Sequence, residues 1–164
     1  MERAKRVITI TLLRWRALLG ELQRRGQKHR ESGAFLLGTP TRAGQTARIK
    51  HFGFYDDLDP ESLNHGGVNF HAVGYSRLWQ LCEQIGMEVV ADVHTHPGGT
   101  VAQSWIDAQH AMLPNVGHIA LILPNFGYTS AWSMKGAGIY EYLGDHHWRT
   151  CNADGAARVR LCII

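Results

Sequence analysis

The sequence predicts a single α/β domain with a mixed sheet, and three observations carry that expectation. The chain has 164 residues with 45% hydrophobic content, the size of one domain and enough to bury a core. Short β-branched runs alternate with two amphipathic stretches, near residues 11–26 and 73–85, which is the pattern of strands interleaved with helices. No internal repeat or low-complexity tract interrupts this order, and the glycine clusters at His65-Gly66-Gly67 and Lys135-Gly136-Ala137-Gly138 are short enough to mark turns.

Taken in order, Val7 to Thr9 reads as a first strand. From Thr11 to Gly26 the apolar residues Leu12, Trp15, Leu18, Leu19 and Leu22 repeat at helical spacing. Arg14, Arg16, Arg24 and Arg25 fall mostly off that stripe, as on a helix docked against a core. Ser32 to Gly38 is a short apolar strand, followed by a turn at Thr39-Pro40 and a strand from about Arg48 to Tyr55. The acidic run Asp56 to Pro60 reads as a loop and Val68 to His71 as a short strand. Val73 to Ile85 is a second helix, ended by Gly86. Residues 88–94 are β-branched and read as a buried strand, Ser104 to Met112 as a helix with Ser104 at its N-cap, and His118 to Leu123 and Gly138 to Leu143 as strands. The final seven residues, Arg158 to Ile164, fit either a closing edge strand or a tail that docks on a partner.

Charge is unevenly spread. Residues 1–30 carry nine Lys or Arg against two Glu, a net of +7, whereas residues 31–164 have a net of −4. A basic segment can meet nucleic acid. Here the helical stripe explains the arginines as a solvated outer face, so no nucleic-acid partner is expected. Arg3, Lys5 and Arg6 precede an apolar stretch from Val7 to Leu13, but Arg14 and Arg16 cut it short and no small-residue cleavage site follows. No apolar run approaches the length of about 18 residues that a membrane span needs. A soluble, cytoplasmic protein with no membrane contact is expected. The odd count of three cysteines, Cys82, Cys151 and Cys162, lacks zinc-ribbon spacing and argues against a secreted disulfide framework. The pair His146-His147 reads as surface or loop, since only Asp145 accompanies it.

The chemistry is concentrated in His94-Thr95-His96-Pro97 and Ser104-Trp105-Ile106-Asp107. In a strand, residues i and i+2 project to one face, so His94 and His96 can aim two imidazoles at one point. Pro97-Gly98-Gly99 breaks the strand, and Ser104 and Asp107, three apart, share a face of the next helix's first turn. Two imidazoles and one carboxylate, with the fourth tetrahedral position left to water, describe a catalytic zinc site; structural sites are usually closed by four protein ligands. A hydrolase also needs a group that takes the water proton and passes it to the leaving amine. Glu31 is the candidate, at the start of Glu31-Ser-Gly-Ala-Phe-Leu-Leu-Gly38, where a carboxylate stands at the mouth of a buried strand.

Glu31 with Gly38 seven residues on, then His-x-His-Pro-x6-Ser-x-x-Asp far downstream, resembles the JAMM (MPN+ or JAB) zinc metallopeptidase family, with all five motif residues present. The resemblance covers roughly residues 7–145 and leaves 146–164 as an extension or edge strand of the one domain, 1–164. It implies an α-β-α sandwich around a mixed sheet, the architecture shared with cytidine deaminases. It further implies one Zn2+ per chain held by His94, His96 and Asp107, Glu31 as general base and acid, and Ser104 as hydrogen-bond donor to the oxyanion.

The best-known members cleave after the carboxyl-terminal glycine of ubiquitin or ubiquitin-like proteins. The compact size is similar to stand-alone bacterial JAB proteins found with activating and conjugating enzymes of ubiquitin-like pathways, including antiphage systems. The implied partners are therefore a ubiquitin-like protein, its conjugated target and those enzymes. Residues 125–138, with Phe126, Tyr128 and Trp132, are placed to act as a substrate-facing flap or to anchor in the core. Alternatives are processing of a sulfur-carrier tail, a RadC-like protein, disfavoured because no helix-hairpin-helix segment lies upstream, and a metal-free scaffold, disfavoured by the complete motif. A zinc nucleoside deaminase is disfavoured by the missing His-x-Glu and Pro-Cys-x-x-Cys signature.

Overall fold

A computed structural model describes residues 7–39, 42, 46–151 and 158–164. Arg3, Lys5, Arg6 and the Pro40 half of the expected turn lie outside the described residues. The strands are β1 (Ile8–Thr11), β2 (Gly33–Gly38), β3 (Ala47–Phe54), β4 (Glu88–Thr95), β5 (Ile119–Leu123), β6 (Gly138–Gly144), β7 (His147–Thr150) and β8 (Val159–Cys162). They form one eight-stranded sheet in the order β7-β6-β5-β4-β2-β3-β1-β8. The sheet is mixed: β4 runs parallel to β5 and β1 to both β3 and β8, whereas β2 is antiparallel to β3 and β4.

Alternation along β2 divides the core in two. Ala34 and Leu36 face a cluster that includes Trp15, Leu18, Leu19 and Leu22 of α1 (Leu12–Gly26). Phe35 and Leu37 face a second cluster with Leu78 and its neighbours on α3 (Ala72–Ile85). One helix thus covers each face, as an α-β-α sandwich requires, because a strand buried on both sides has no polar face to offer water. The α1 stripe is the one its sequence period predicts; Trp15, Leu18 and Leu22 are fully buried, each worth about 1.5–3 kcal/mol of transfer free energy. Thr11 caps the helix by accepting the Arg14 amide, and Gln27 ends it in a left-handed conformation.

Several boundaries differ from the sequence expectation, each for a local reason. The acidic run forms a helical turn, α2 (Tyr55–Leu58), because Tyr55 and Leu58 are drawn into the core while Asp56 and Asp57 remain outside to meet Arg25. Val68 to His71 is not a strand; only a His65–Gly67 bridge forms there, and Val68 and Phe70 pack against the second cluster instead. The helix expected to reach Met112 stops at α4 (Trp105–Gln109), where the indole N–H of Trp148 donates to the Ala108 carbonyl. His147 lies on β7, an edge strand that the sequence reading treated as loop. The carboxyl-terminal segment forms the opposite edge strand, β8, pairing with β1.

Gly33 is fixed by close packing. A Cβ there would stand 2.3 Å from the Tyr55 ring and 2.6 Å from the Val93 carbonyl oxygen, so no side chain fits where β2 crosses β4. Among the described residues no helix is long and apolar enough to cross a membrane.

Candidate metal centre

The register of the central strands assembles the site. Gly33 of β2 pairs with His94 of β4, which places Glu31, two residues before Gly33, beside the end of β4. Ser32 and Thr95 lock this crossing: the Ser32 amide donates to Thr95 Oγ1 at 3.0 Å, and the Thr95 amide donates to the Ser32 carbonyl at 2.9 Å. The Ser32 hydroxyl in turn donates to the Leu22 carbonyl of α1 at 2.8 Å. Thr95 points away from its histidine neighbours, as alternation dictates, and serves the frame while they serve the site. The strand's hydrogen bonding continues through His96, whose amide donates to the Leu123 carbonyl.

His94, His96 and Asp107 converge, with one ligand atom from each lying within 4.8 Å of the others. His94 Nε2 and His96 Nε2 are 3.2 Å apart, His94 Nε2 is 3.3 Å from Asp107 Oδ1, and His96 Nε2 is 3.2 Å from Asp107 Oδ2. A tetrahedral zinc with bonds of about 2.0–2.1 Å separates its ligand atoms by about 3.3–3.4 Å, so the donor set fits that ion with little adjustment. Supporting contacts orient the ligands. His96 Nδ1 faces the Thr100 carbonyl at 3.2 Å, the arrangement that leaves Nε2 free to ligate. Asp107 is held by a reciprocal capping box: its Oδ2 accepts the Ser104 amide at 2.7 Å, and Ser104 Oγ accepts the Asp107 amide at 3.1 Å. The Ser104 hydroxyl proton stays available to a ligand in the cleft.

Electrostatics agree with the geometry. Burial opposes the charged form of Asp107, but hydrogen bonds from His94 and His96 outweigh it and hold the carboxyl well below its ordinary range. The same Asp107 hydrogen bond raises His96. Glu31 is not among the ligand atoms that converge. Burial raises its carboxyl, an effect that the fields of His94 and His96 and the Val68 N–H partly offset. A carboxylate that is partly desolvated, beside the cluster but outside it, is placed to move protons.

Four of the five residues expected from the sequence, Glu31, His94, Ser104 and Asp107, line one cleft of about 990 Å³, and His96 joins them through its contacts with His94 and Asp107. Of the two readings of residues 125–138, a flap or an anchored loop, the second fits the structure, since none of these residues lines the cleft. That segment is tied to α1 and the turn after it: Trp15 Nε1 donates to the Ser130 carbonyl, Gln23 to the Gly127 carbonyl, and Arg16 and Lys28 lie over the Trp132 and Tyr128 rings. Its amides at Asn125 and Phe126 brace the metal loop from behind by donating to the Gly98 and His96 carbonyls.

The sequence reading missed Asp92. This buried residue lies two positions before His94 on the same strand face, lines the cleft floor, and accepts hydrogen bonds from His118 Nε2 and the Tyr55 hydroxyl. A lone carboxylate inside Val89-Val90-Ala91-Asp92-Val93 was the available signal, because an unpaired charge is not tolerated in a buried strand.

Residues 16–135 match the family model for prokaryotic homologs of the JAB domain. The chain belongs to that family. The chain is also similar in fold to solved structures: a protein from Desulfitobacterium hafniense is 16% identical, with a TM-score of 0.61 over 95% of this chain and 93% of that one. A Salinibacter ruber protein is 17% identical, with a TM-score of 0.52 over 86% and 91% of the two chains. A JAB1/MPN domain protein from Archaeoglobus fulgidus is 19% identical, with a TM-score of 0.44 over 86% and 92%. In this JAB domain the described residues hold one group of three or more potential metal ligands, His94-His96-Asp107, and His146 and His147 form no second one.

Proposed function

We propose that this JAB domain is a zinc-dependent isopeptidase or peptidase that cuts after the carboxyl-terminal glycine of a ubiquitin-like protein. It would release the modifier from a target or mature its precursor, in a bacterial conjugation pathway of the kind found in antiphage defence. The observation that carries the reading is the convergence of His94, His96 and Asp107 at zinc spacing with Glu31 beside them in the same cleft. Zinc bound there would supply Lewis-acid polarisation of the scissile carbonyl and a more acidic water.

The chain's own residues supply the rest. As water adds to the glycyl carbonyl carbon, Glu31 accepts its proton, and the same carboxyl delivers that proton to the amine nitrogen when the C–N bond breaks. Ser104 donates its hydroxyl proton as a hydrogen bond to the oxygen that gains charge. Among the described residues that line the cleft there is no Lys or Arg to pair with a free carboxylate. This favours a leaving amine that belongs to a protein over a single amino acid released from a sulfur-carrier tail.

The test offers two substrates: a ubiquitin-like protein ending in Gly-Gly, isopeptide-linked to a folded target, and a carrier protein joined to one amino acid, each with and without chelator. Chelator-sensitive release of the folded target is expected. Preference for the second substrate would move the function to carrier processing, and failure on both with zinc bound would reject a peptidase acting alone.

Two variants probe the roles. Glu31→Ala is expected to keep its zinc and lose about 10²–10⁴ in rate; a wild-type rate removes Glu31 from the mechanism, and lost zinc makes it a ligand. Ser104→Ala is expected to lower kcat about 10²–10³ and to cost about 0.5–2 kcal/mol in the α4 cap. Ser104→Asp, which keeps a capping acceptor without a hydroxyl donor, should recover stability in a denaturant titration but not rate.

A further inference from the structure

We propose that Asp59, a buried residue outside the motif, is a positioning residue for Glu31, acting through the loop 60–70 that closes over it. This rests on the reading of Glu31 as the proton carrier. Asp59 follows α2 and is 2% exposed. Its Oδ2 accepts two hydrogen bonds from one residue, the His71 amide at 2.8 Å and His71 Nδ1 at 2.7 Å. Its Oδ1 accepts the Glu61 amide at 3.2 Å, and its carbonyl accepts the Ser62 amide at 2.9 Å. One carboxylate therefore joins both ends of the loop. His71 is also the N-cap of α3, and with no capping bond from its own side chain it takes Asp59 as a capping acceptor from outside.

The loop so closed is what holds Glu31. The Gly66 carbonyl accepts the Glu31 amide at 2.7 Å, and the Val68 amide donates to the Glu31 carboxylate. Flanking these points, the Asn69 amide donates to the Ser62 carbonyl at 2.8 Å, and Leu63, Val68 and Phe70 seat the loop on the second core cluster. Glu31 precedes β2 and has no strand partner on this side, so the loop supplies the main-chain contacts that fix its amide and its carboxylate. A buried carboxylate is costly unless it is fully hydrogen-bonded, and each bond to Asp59 is made by a group on or bounding this loop. A misplacement of about 1 Å at a catalytic group can cost about 10²-fold in rate. The integrity of the Asp59–His71 pair is then read out at Glu31, although neither residue meets substrate.

The experiment uses the zinc-loaded full chain and the variants Asp59→Asn and His71→Ala. Amide hydrogen exchange by NMR is the first readout. Exchange at Glu31 and Val68 is expected to accelerate about tenfold or more in Asp59→Asn, and less in His71→Ala, which keeps the backbone bond. Val93 and Leu121 in the central strands should stay protected. Acceleration at all four amides would mean general destabilisation, and no change would mean that the loop is held without Asp59; either overturns the proposal.

The second readout is the rate on the Gly-Gly-linked substrate with Glu31 present or replaced by Ala. Asp59→Asn should lower kcat about 10–100-fold with KM and zinc content unchanged, and should alter the residual rate of Glu31→Ala less than about twofold. Equal losses in both backgrounds overturn a role through Glu31. If Glu31→Ala alone cleaves at wild-type rate, the proton-carrier reading fails, and with it the catalytic part of this proposal, whereas the exchange data still decide whether Asp59 clamps the loop.

Discussion

Replacing His96 with Ala is expected to leave the protein without its metal and to bring hydrolysis to background. Among the described residues His96 is one of three side chains grouped where they could hold a metal ion, and its Nδ1 contact to the Thr100 carbonyl orients the ring. With His94 and Asp107 alone, two ligand atoms remain, fewer than the three protein ligands that catalytic zinc sites use. The expected pH dependence has a definite sign. Asp107 raises the His96 ring above its ordinary value, so in the metal-free protein a proton competes with the metal for the same site. Zinc affinity should therefore fall as pH drops through and below the histidine range, and acid should release the ion before it unfolds the sheet. Metal content by mass spectrometry across pH, for the wild type and His96→Ala, checks both statements. Full occupancy in His96→Ala would overturn the ligand assignment.

The largest expected effect on stability lies far from the metal. Arg158, just before β8, donates from both Nη atoms to Glu141 of β6 at 2.8 and 3.1 Å, and both residues are buried. These strands stand toward opposite ends of the sheet order, so the pair links two strands that do not pair directly with each other. Glu141→Ala removes the buried carboxylate that accepts both of these bonds, at an expected cost of about 3–5 kcal/mol. The double variant Glu141→Leu with Arg158→Met should be near neutral or more stable, because it removes both desolvation penalties together. Urea titrations of the two variants separate the cases. A loss below about 1 kcal/mol in Glu141→Ala would show that the pair behaves as a solvent-screened surface bridge.

The motif residues were legible because their spacing is local. His94 and His96 share a strand face by alternation, and Ser104 and Asp107 share a helical turn, so each half of the site follows from covalent geometry. The α1 stripe was legible for the same reason. Asp59 and His71 carry no such periodicity; they are twelve residues apart across irregular chain, and their pairing follows from how the loop between them packs on Phe35 and Tyr55. In sequence the 125–138 segment fits either a flap or an anchored loop because its aromatics show no period, and the bonds from Trp15 and Gln23 of α1 to its carbonyls decide for the second.

By itself the sequence determined the two helices, most of the strands and the candidate site, the grouping of His94, His96 and Asp107 with Glu31 and Ser104 beside them. Each of these is written in residue type and short spacing, which backbone geometry converts directly into a shared face. Only the tertiary structure decided that Gly33 stands opposite His94, that the Ser32–Thr95 bonds lock the start of β2 to the end of β4, and that Asp92 lines the same cleft. Those are matters of strand register and packing between segments some 60 residues apart, and register is selected by the fit of whole faces in the core, which no local pattern records.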